Sequence, residues 1–205
     1  MLLTVIFYVG ITVEAMSAAL AAGRRKMDWF GVVILACVTA LGGGTMRDIL
    51  LDHYPLTWVR NPYLLMIVGG AALFTIAIAR VAHRLRWPFL LLDALGLVAF
   101  SIIGCNVAME AGHHPIVVIF SGMLTGITGG ILRDVLCNDI PLVFSSELYA
   151  TVSIVTGIVY YVGLQWGLPT DLVVIIAILV GFPLRVAALV FKWEMPKFVY
   201  DKDMR

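Results

Sequence analysis

The sequence predicts an all-α polytopic membrane protein with seven transmembrane helices, arranged as two inverted three-helix repeats plus a seventh helix. The first observation is composition: 61% of the 205 residues are hydrophobic, only 13% are charged, and the mean hydropathy is +1.01. Soluble domains carry about 25% charged residues, so a soluble globular enzyme and a disordered chain are both excluded. The second observation is a series of long apolar runs, and the third is a polar motif that recurs after 86 residues. A net charge of +1 without a recurring Lys or Arg stripe also argues against a nucleic-acid-binding protein.

Seven apolar runs are long enough to cross a bilayer, which requires about 20 residues per helix. Their approximate limits are 2–22, 29–51, 63–82, 88–111, 115–137, 148–166 and 172–191. The connections between them are short and contain prolines, which end helices. The first run has no basic residues before it, and its positive charges, 24–26, follow it. We therefore expect a retained helix rather than a signal peptide.

The orientation of the helices follows from Lys and Arg in the short loops. On the side that holds the N-terminus, the loops contain only Arg60. The opposite side receives ten basic residues: Arg24, Arg25, Lys26, Arg80, Arg84, Arg86, Lys192, Lys197, Lys202 and Arg205. The positive-inside rule then predicts a cytoplasmic C-terminus and an N-terminus on the outer side, which in a bacterial inner membrane is the periplasm.

The internal repeat is visible as eight identities within a window of 20 residues. The matched pairs are Thr39 with Thr125, Gly43 with Gly129, Gly44 with Gly130, Arg47 with Arg133, Asp48 with Asp134, Leu50 with Leu136, Pro55 with Pro141, and Leu56 with Leu142. Each unit has three spans, and because three is odd, the second unit enters the membrane from the opposite side. We predict a first repeat at 1–86, a second, inverted repeat at 87–168, a seventh helix at 169–192 and a cytoplasmic tail at 193–205.

Glycines in the second and fifth spans, at 42–44 and at 126 and 129–130, permit two interpretations. Each glycine costs a helix about 1 kcal/mol relative to alanine, so a cluster favours a break. A break would free backbone groups that could coordinate an ion in a protein-lined cavity. The alternative is that the glycines only allow two helices to pack closely. We favour a break or kink in both helices.

Charged pairs follow both glycine motifs, and such charges inside a membrane usually face a cavity or one another. We predict pairing across the repeats, Arg47 with Asp134 and Arg133 with Asp48, because neighbouring helix residues point about 100° apart. Two alternatives remain: Asp48 could form a capping box with Thr45, and the arginines could extend to the interface.

Two further acids lie inside apolar helices, Glu14 in the first span and Asp93 in the fourth. Each could line a functional path or pair with a buried arginine. The three cysteines, Cys37, Cys105 and Cys137, are interpreted as packing residues, because no metal-binding spacing is present. We expect no metal site, no cofactor and no enzymatic activity, since no nucleophile–base pattern is visible.

Segments 42–48 (GGGTMRD) and 128–134 (TGGILRD) resemble the paired signature of the prokaryotic TRIC family of trimeric intracellular cation channels, also catalogued as a bacterial glycine-transporter-like domain. Segments 21–28 and 93–104 resemble the same family, and the match covers roughly residues 1–190. Within it, the chain is most similar to an enterobacterial inner-membrane protein. The resemblance implies a seven-helix protomer, a homotrimer, and an hourglass pore for monovalent cations, chiefly potassium. The chain departs from the family at Phe7, where an acid is common, and at Glu14, where an aromatic residue is common.

The function predicted first is a monovalent cation channel with one pore per protomer, and the alternative is a secondary transporter for a small neutral amino acid such as glycine. A scaffold without transport is a weaker alternative. The predicted partners are the lipid bilayer, two further copies of the chain, and the transported ion or amino acid. The predicted ion path contains Gly42, Gly43, Gly44, Thr45, Arg47, Asp48, Thr128, Gly129, Gly130, Arg133 and Asp134, with Glu14 and Asp93 as candidate lining residues.

Overall fold

A computed structural model describes residues 1–79, 86–145 and 148–193, and every regular element in these ranges is an α-helix. The helices are α1 (Leu2–Arg24), α2 (Trp29–Leu50), α3 (Thr57–Arg60), α4 (Tyr63–Ala79), α5 (Arg86–Glu110), α6 (Pro115–Leu136), α7 (Leu142–Ser145), α8 (Tyr149–Gln165) and α9 (Thr170–Phe191). The predicted tail lies outside the described residues except for its first residue. The same holds for five of the ten counted basic residues, Arg80, Arg84, Lys197, Lys202 and Arg205.

Five helices in the described ranges are long and apolar enough to cross a membrane: α1, α2, α5, α6 and α9. Helices α4 and α8 are apolar but have only 17 residues each. All seven correspond to predicted spans, with ends that differ by a few residues. The single-turn helices α3 and α7 were not predicted, because segments of four residues carry no periodic pattern.

Helices α2 and α6 end in the same way. The residue Asp52 after α2 has a φ of 54°, and Asn138 after α6 has a φ of 55°. Asp and Asn tolerate this left-handed conformation better than most residues, because their short polar side chains can form local hydrogen bonds. In both places a short connection then leads to the next single-turn helix.

The centre of the molecule is formed by α1, α2, α5 and α6. Helix α4 packs against α1 and α2, while α8 packs against α5, α6 and α9. Two buried apolar clusters result, one built mainly on α1, α2 and α4, and the other mainly on α5, α6, α8 and α9.

The contact between α5 and α6 depends on small residues. A Cβ atom at Gly122 would lie 2.7 Å from the Ser101 carbonyl oxygen, and one at Gly126 would lie 2.9 Å from the Leu97 carbonyl oxygen. Both distances are too short for a real Cβ contact, so only glycine allows the two backbones to approach this closely. This is the small-residue packing by which helices associate in membranes.

Candidate functional site: two buried charged clusters

Helices α2 and α6 pass without a break through the two glycine motifs. The predicted break is therefore wrong, while a kink at these glycines stays a prediction; the contacts between the two helices are those of the close-packing alternative. A Cβ atom at Gly43 would lie within 3.0 Å of the Thr125 carbonyl oxygen, and one at Gly129 would lie 2.5 Å from the Thr39 carbonyl oxygen. The glycines lower helix propensity, but they allow a backbone-to-backbone contact that a side chain would prevent.

The remaining members of the glycine motifs also stay within helical structure. Thr45 and Thr128 donate hydrogen bonds to carbonyl oxygens four residues earlier, at 2.8 and 2.6 Å. The Gly42 Cβ position lies 2.5 Å from the Leu132 side chain, so this glycine also serves the contact of α2 with α6. The Gly44 Cβ position lies 3.7 Å from an Arg47 nitrogen. All residues of both motifs have helical backbone, so no loop at the glycines presents carbonyl oxygens to an ion.

The first charged cluster lies at the end of α2, and we call Arg47, Asp48, His53 and Thr57 the α2 cluster. Arg47 donates to the Asp48 carboxylate from Nε at 3.0 Å and from Nη2 at 2.6 Å. The other carboxylate oxygen of Asp48 accepts from the Thr57 backbone N–H and hydroxyl, both at 2.7 Å. Both charged residues are buried. The Asp48 carboxylate therefore joins α2 to the start of α3.

The second charged cluster lies at the end of α6, and its members are Glu14, Ser17, Asp93, Arg133, Asp134 and Tyr149, which we call the α6 cluster. Arg133 is fully buried and donates to Asp134 at 2.8 Å, to Asp93 at 2.6 Å and to the Ser17 hydroxyl at 2.7 Å. Asp134 also accepts from the Leu142 backbone N–H at 3.0 Å, which joins α6 to the start of α7. The α6 cluster thus connects α1, α5 and α6 through a single guanidinium group.

The charge pairs predicted across the repeats, Arg47 with Asp134 and Arg133 with Asp48, do not form. Each arginine instead binds the aspartate next to it, because the long guanidinium side chain can reach the adjacent carboxylate. The direction of the helix crossing explains the error: residue 39 faces 129 and residue 43 faces 125, so α2 and α6 cross antiparallel. The Arg–Asp pairs therefore lie on opposite sides of the crossing, roughly 15–20 Å apart at a rise of 1.5 Å per residue.

The two alternatives for the charged residues are also wrong. Asp48 caps α3 rather than a half-helix within α2, and the Thr45 hydroxyl bonds within its own helix. The arginines do not extend to the interface, since Arg47 is 2% exposed and Arg133 is 0% exposed.

Sequence reasoning missed five residues: Ser17, His53, Thr57, Tyr149 and Arg185. The guanidinium of Arg185 lies over the ring of Tyr149, 4.6 Å from the ring centre, and both residues are buried. A usable signal was present, because Arg185 is the only charged residue in the predicted seventh span. An ionisable residue within an apolar run indicates a buried polar partner.

The two clusters differ at positions that the 86-residue repeat makes equivalent. Asp93 and Glu14 of the α6 cluster correspond to Phe7 and Phe100 near the α2 cluster. The two phenylalanines and Arg47 line a cavity of about 20 Å³ between α1, α2 and α4. A cavity of this size holds about one water molecule. Arg133 therefore binds two carboxylates and lies near a third carboxyl group, whereas Arg47 pairs with Asp48 and shares its cavity with two phenylalanines.

Among the described residues, no group of three His, Cys, Asp or Glu side chains is arranged to hold a metal ion. Cys137, in the turn after α6, is buried, and this burial together with the nearby Asp139 raises the pKa of its thiol. A thiol with a raised pKa is a poor metal ligand and a poor nucleophile.

Comparison with known proteins places the chain in a family. The model of a family described as "Glycine transporter" matches residues 4–79 and again residues 90–165. The chain is 39% identical over 199 residues to the UPF0126 inner membrane protein YadS of Escherichia coli K12, with 96% of each chain covered. It is 37% identical to a UPF0126 membrane protein of Vibrio cholerae, covering 98% of this chain and 84% of the relative.

The fold also matches that of a solved structure. This is the TRIC trimeric intracellular cation channel orthologue from Rhodobacter sphaeroides, with a TM-score of 0.89 and 32% identity, covering 93% of this chain and 98% of the other. The family predicted from segments 42–48 and 128–134 is thereby confirmed. The chain belongs to the glycine transporter family of helical membrane proteins, together with the UPF0126 proteins and the prokaryotic TRIC channels.

Proposed function

We propose that the protein is a monovalent cation channel, selective chiefly for potassium, with one ion path in each protomer. The observation that carries this proposal is the pair of buried charged clusters on opposite sides of the α2–α6 crossing. Charged residues inside a membrane protein are costly and mark ion or substrate pathways. The solved relative from Rhodobacter sphaeroides is described as a cation channel, which supports the same activity here.

The proposed architecture is seven membrane-crossing helices in two inverted repeats, with α1, α2 and α4 equivalent to α5, α6 and α8, and with α9 as the seventh. Two findings support it. The two matches to the family model begin 86 residues apart, at 4 and 90. Two backbone contacts between α2 and α6 are reciprocal, because Gly43 meets Thr125 while Gly129 meets Thr39. An axis in the membrane plane through this crossing would exchange the two halves.

The proposed ion path runs between α1, α2, α5 and α6, from the α2 cluster to the α6 cluster. Its polar groups would come from Arg47, Asp48, Arg133 and Asp134, together with Asp93 and Glu14. The glycines at the crossing would set how closely the helices approach, rather than supply ligands. The cavity of about 20 Å³ beside Arg47 is too small for a hydrated ion, so conduction would require the helices around it to move.

We also propose that the protein assembles as a homotrimer in the bacterial inner membrane. The solved relative is described as trimeric, and the Escherichia coli relative is named an inner membrane protein. An apolar groove of about 400 Å³ between α2, α4 and α6, open at the surface, offers an area for contact between copies. Chemical cross-linking of the purified protein in mild detergent should stop at three chains.

Flux measurements in liposomes test the channel proposal. The purified protein should release potassium down its gradient without glycine, and protein-free liposomes should not. Saturable glycine uptake without potassium flux would instead support the transporter alternative. The structure adds a matched pair of variants on α1: Phe7→Ala enlarges the cavity beside Arg47, whereas Val9→Ala changes an exposed side chain on the same helix. We expect severalfold faster flux for Phe7→Ala only, and equal rates for both variants would contradict the proposed path.

The orientation can be tested independently of transport. A reporter that is active only in the cytoplasm should be active when fused after Arg205, because most Lys and Arg residues of the loops lie on the side of the C-terminus. A reporter that is active only in the periplasm should be inactive there. The reverse result would overturn both the helix count and the inverted repeat.

A further inference from the structure

Glu14 is the carboxyl group that the α6 cluster leaves without a partner. It lies in the middle of α1 and is only 1% exposed. Neither of its oxygens has a hydrogen-bond partner among the described residues. The side chain lies directly against the backbone of Gly96 on α5, where a Cβ atom would lie 2.7 Å from the carboxyl carbon. A buried carboxylate without a hydrogen bond or an ion pair is unstable, so the group must be neutral or balanced by a cation.

Other polar atoms for which the described part of the chain offers no hydrogen-bond partner surround the same place. They are the Asp93 Oδ2, Arg133 Nη2 and Tyr149 hydroxyl atoms. The Cβ position of Gly130 lies 3.1 Å from the Tyr149 hydroxyl, 3.7 Å from Arg133 Nη2 and 3.9 Å from Asp93 Oδ1. The Cβ position of the adjacent Gly129 lies 3.9 Å from Glu14 Oε2. The absence of side chains at these two glycines therefore leaves a small polar space into which four buried groups point.

Within the described ranges, the charges around Glu14 do not balance without one more positive charge. The groups that face it are Asp93 on α5, Arg133 and Asp134 on α6, and Tyr149 on α8, with Arg185 on α9 behind the tyrosine ring. Arg133 is already shared by Asp93 and Asp134. Among the described residues, this region therefore contains three carboxyl groups and two guanidinium groups. The carboxyl groups are those of Glu14, Asp93 and Asp134, and the guanidinium groups are those of Arg133 and Arg185. A proton on Glu14 supplies the missing charge without any further ligand, because it converts the buried carboxylate into a neutral carboxylic acid.

We propose that Glu14 is a proton-binding site and that its proton exchanges with the aqueous phase through the α6 cluster. A proton bound there lowers cation flux. The second half of this proposal rests on the proposed channel function. When the proton leaves Glu14, the α6 cluster gains one negative charge, which attracts a cation into the path. When the proton binds, that attraction is lost. Flux should therefore rise with pH.

Infrared spectroscopy tests proton binding without any transport. In difference spectra of the detergent-solubilised full chain, taken from about pH 4 to about pH 9, the wild type should show a carboxylic-acid C=O band that disappears as Glu14 ionises. Glu14→Gln should remove this band. Glu14→Phe should remove it as well, and it should fold because Phe100 occupies the equivalent position against Gly10, with its ring 3.7 Å from the Gly10 Cβ position. Glu110→Gln, at an exposed position at the end of α5, should keep the band.

Potassium flux from liposomes measured over the same pH range tests the second half of the proposal. The wild type and Glu110→Gln should show a flux that rises with pH, whereas Glu14→Gln and Glu14→Phe should show a flat, low flux. A band that survives both Glu14 variants, or that only Asp93→Asn removes, overturns the proton site. The same pH dependence in wild type and both Glu14 variants overturns the effect on flux. If the wild type carries no potassium at any pH, the proposed channel fails, and the infrared band alone decides whether Glu14 binds a proton.

Discussion

Gly43→Ala should destabilise the protein strongly, although alanine is the better helix former by about 1 kcal/mol. The new methyl group would lie within 3.0 Å of the Thr125 carbonyl oxygen, and that oxygen belongs to the backbone of α6 and cannot rotate away. The two central helices would have to separate. Overpacking of this kind costs about 1–3 kcal/mol and occasionally more. Gly129→Ala should behave in the same way, because its methyl group would meet the Thr39 carbonyl oxygen at 2.5 Å. Thermal unfolding of the detergent-solubilised protein, followed by tryptophan fluorescence, measures both effects.

Gly70→Ala provides the matched control. Gly70 lies on α4, is exposed, and has no atom within 4 Å of its Cβ position. Alanine there should leave the unfolding temperature unchanged or raise it. If Gly43→Ala were as stable as Gly70→Ala, the helices would not be in backbone contact at the crossing. In that case the helix-break interpretation of the glycine motif would deserve a new test.

Arg133→Ala should have the largest effect of any single change. It would leave Asp93 and Asp134 without their shared cation in the interior, where Arg133 is fully buried. Breaking a buried ion pair by removing one partner costs about 3–5 kcal/mol, which is a large part of the stability of a typical protein. We expect little folded protein by size-exclusion chromatography and a much lower unfolding temperature for what remains. Arg60→Ala, at an exposed position at the end of α3, should shift the free energy of unfolding by no more than about 0.5 kcal/mol.

Double changes test which residues are coupled. Arg133→Ala combined with Asp93→Ala should cost less than the sum of the two single changes, because the second change removes one of the carboxylates that the first leaves unpaired. Arg47→Ala combined with Asp134→Ala should instead be additive within about 0.3–0.5 kcal/mol, since these residues lie on opposite sides of the α2–α6 crossing. Strong coupling between Arg47 and Asp134 would restore the pairing first expected from the repeat.

The sequence by itself determined the class of protein, the positions of the long apolar helices, the family and most of the buried charged residues. Long apolar runs with few charges can be stable only in a bilayer, and this is a property of local composition. The glycine–arginine–aspartate segments at 42–48 and 128–134 were recognisable as a pair because they recur at one spacing. The same segments, with Glu14 and Asp93, contain most of the buried charged residues of the structure. Arg185 could have been added on the same grounds.

Only the tertiary structure decided how these residues meet. A glycine cluster is compatible with a break or with a close contact, and the backbone of α6 lying against Gly43 decided for contact. The repeat suggested that Arg47 would meet Asp134, but the antiparallel crossing moves them apart along the helix axes. Positions that the repeat makes equivalent also differ in their surroundings. Glu14 and Asp93 face Arg133. Their counterparts in the other repeat, Phe100 and Phe7, line a cavity together with Arg47. Distances between residues far apart in the chain depend on the direction and depth of helix packing, and no local pattern in the sequence encodes that geometry.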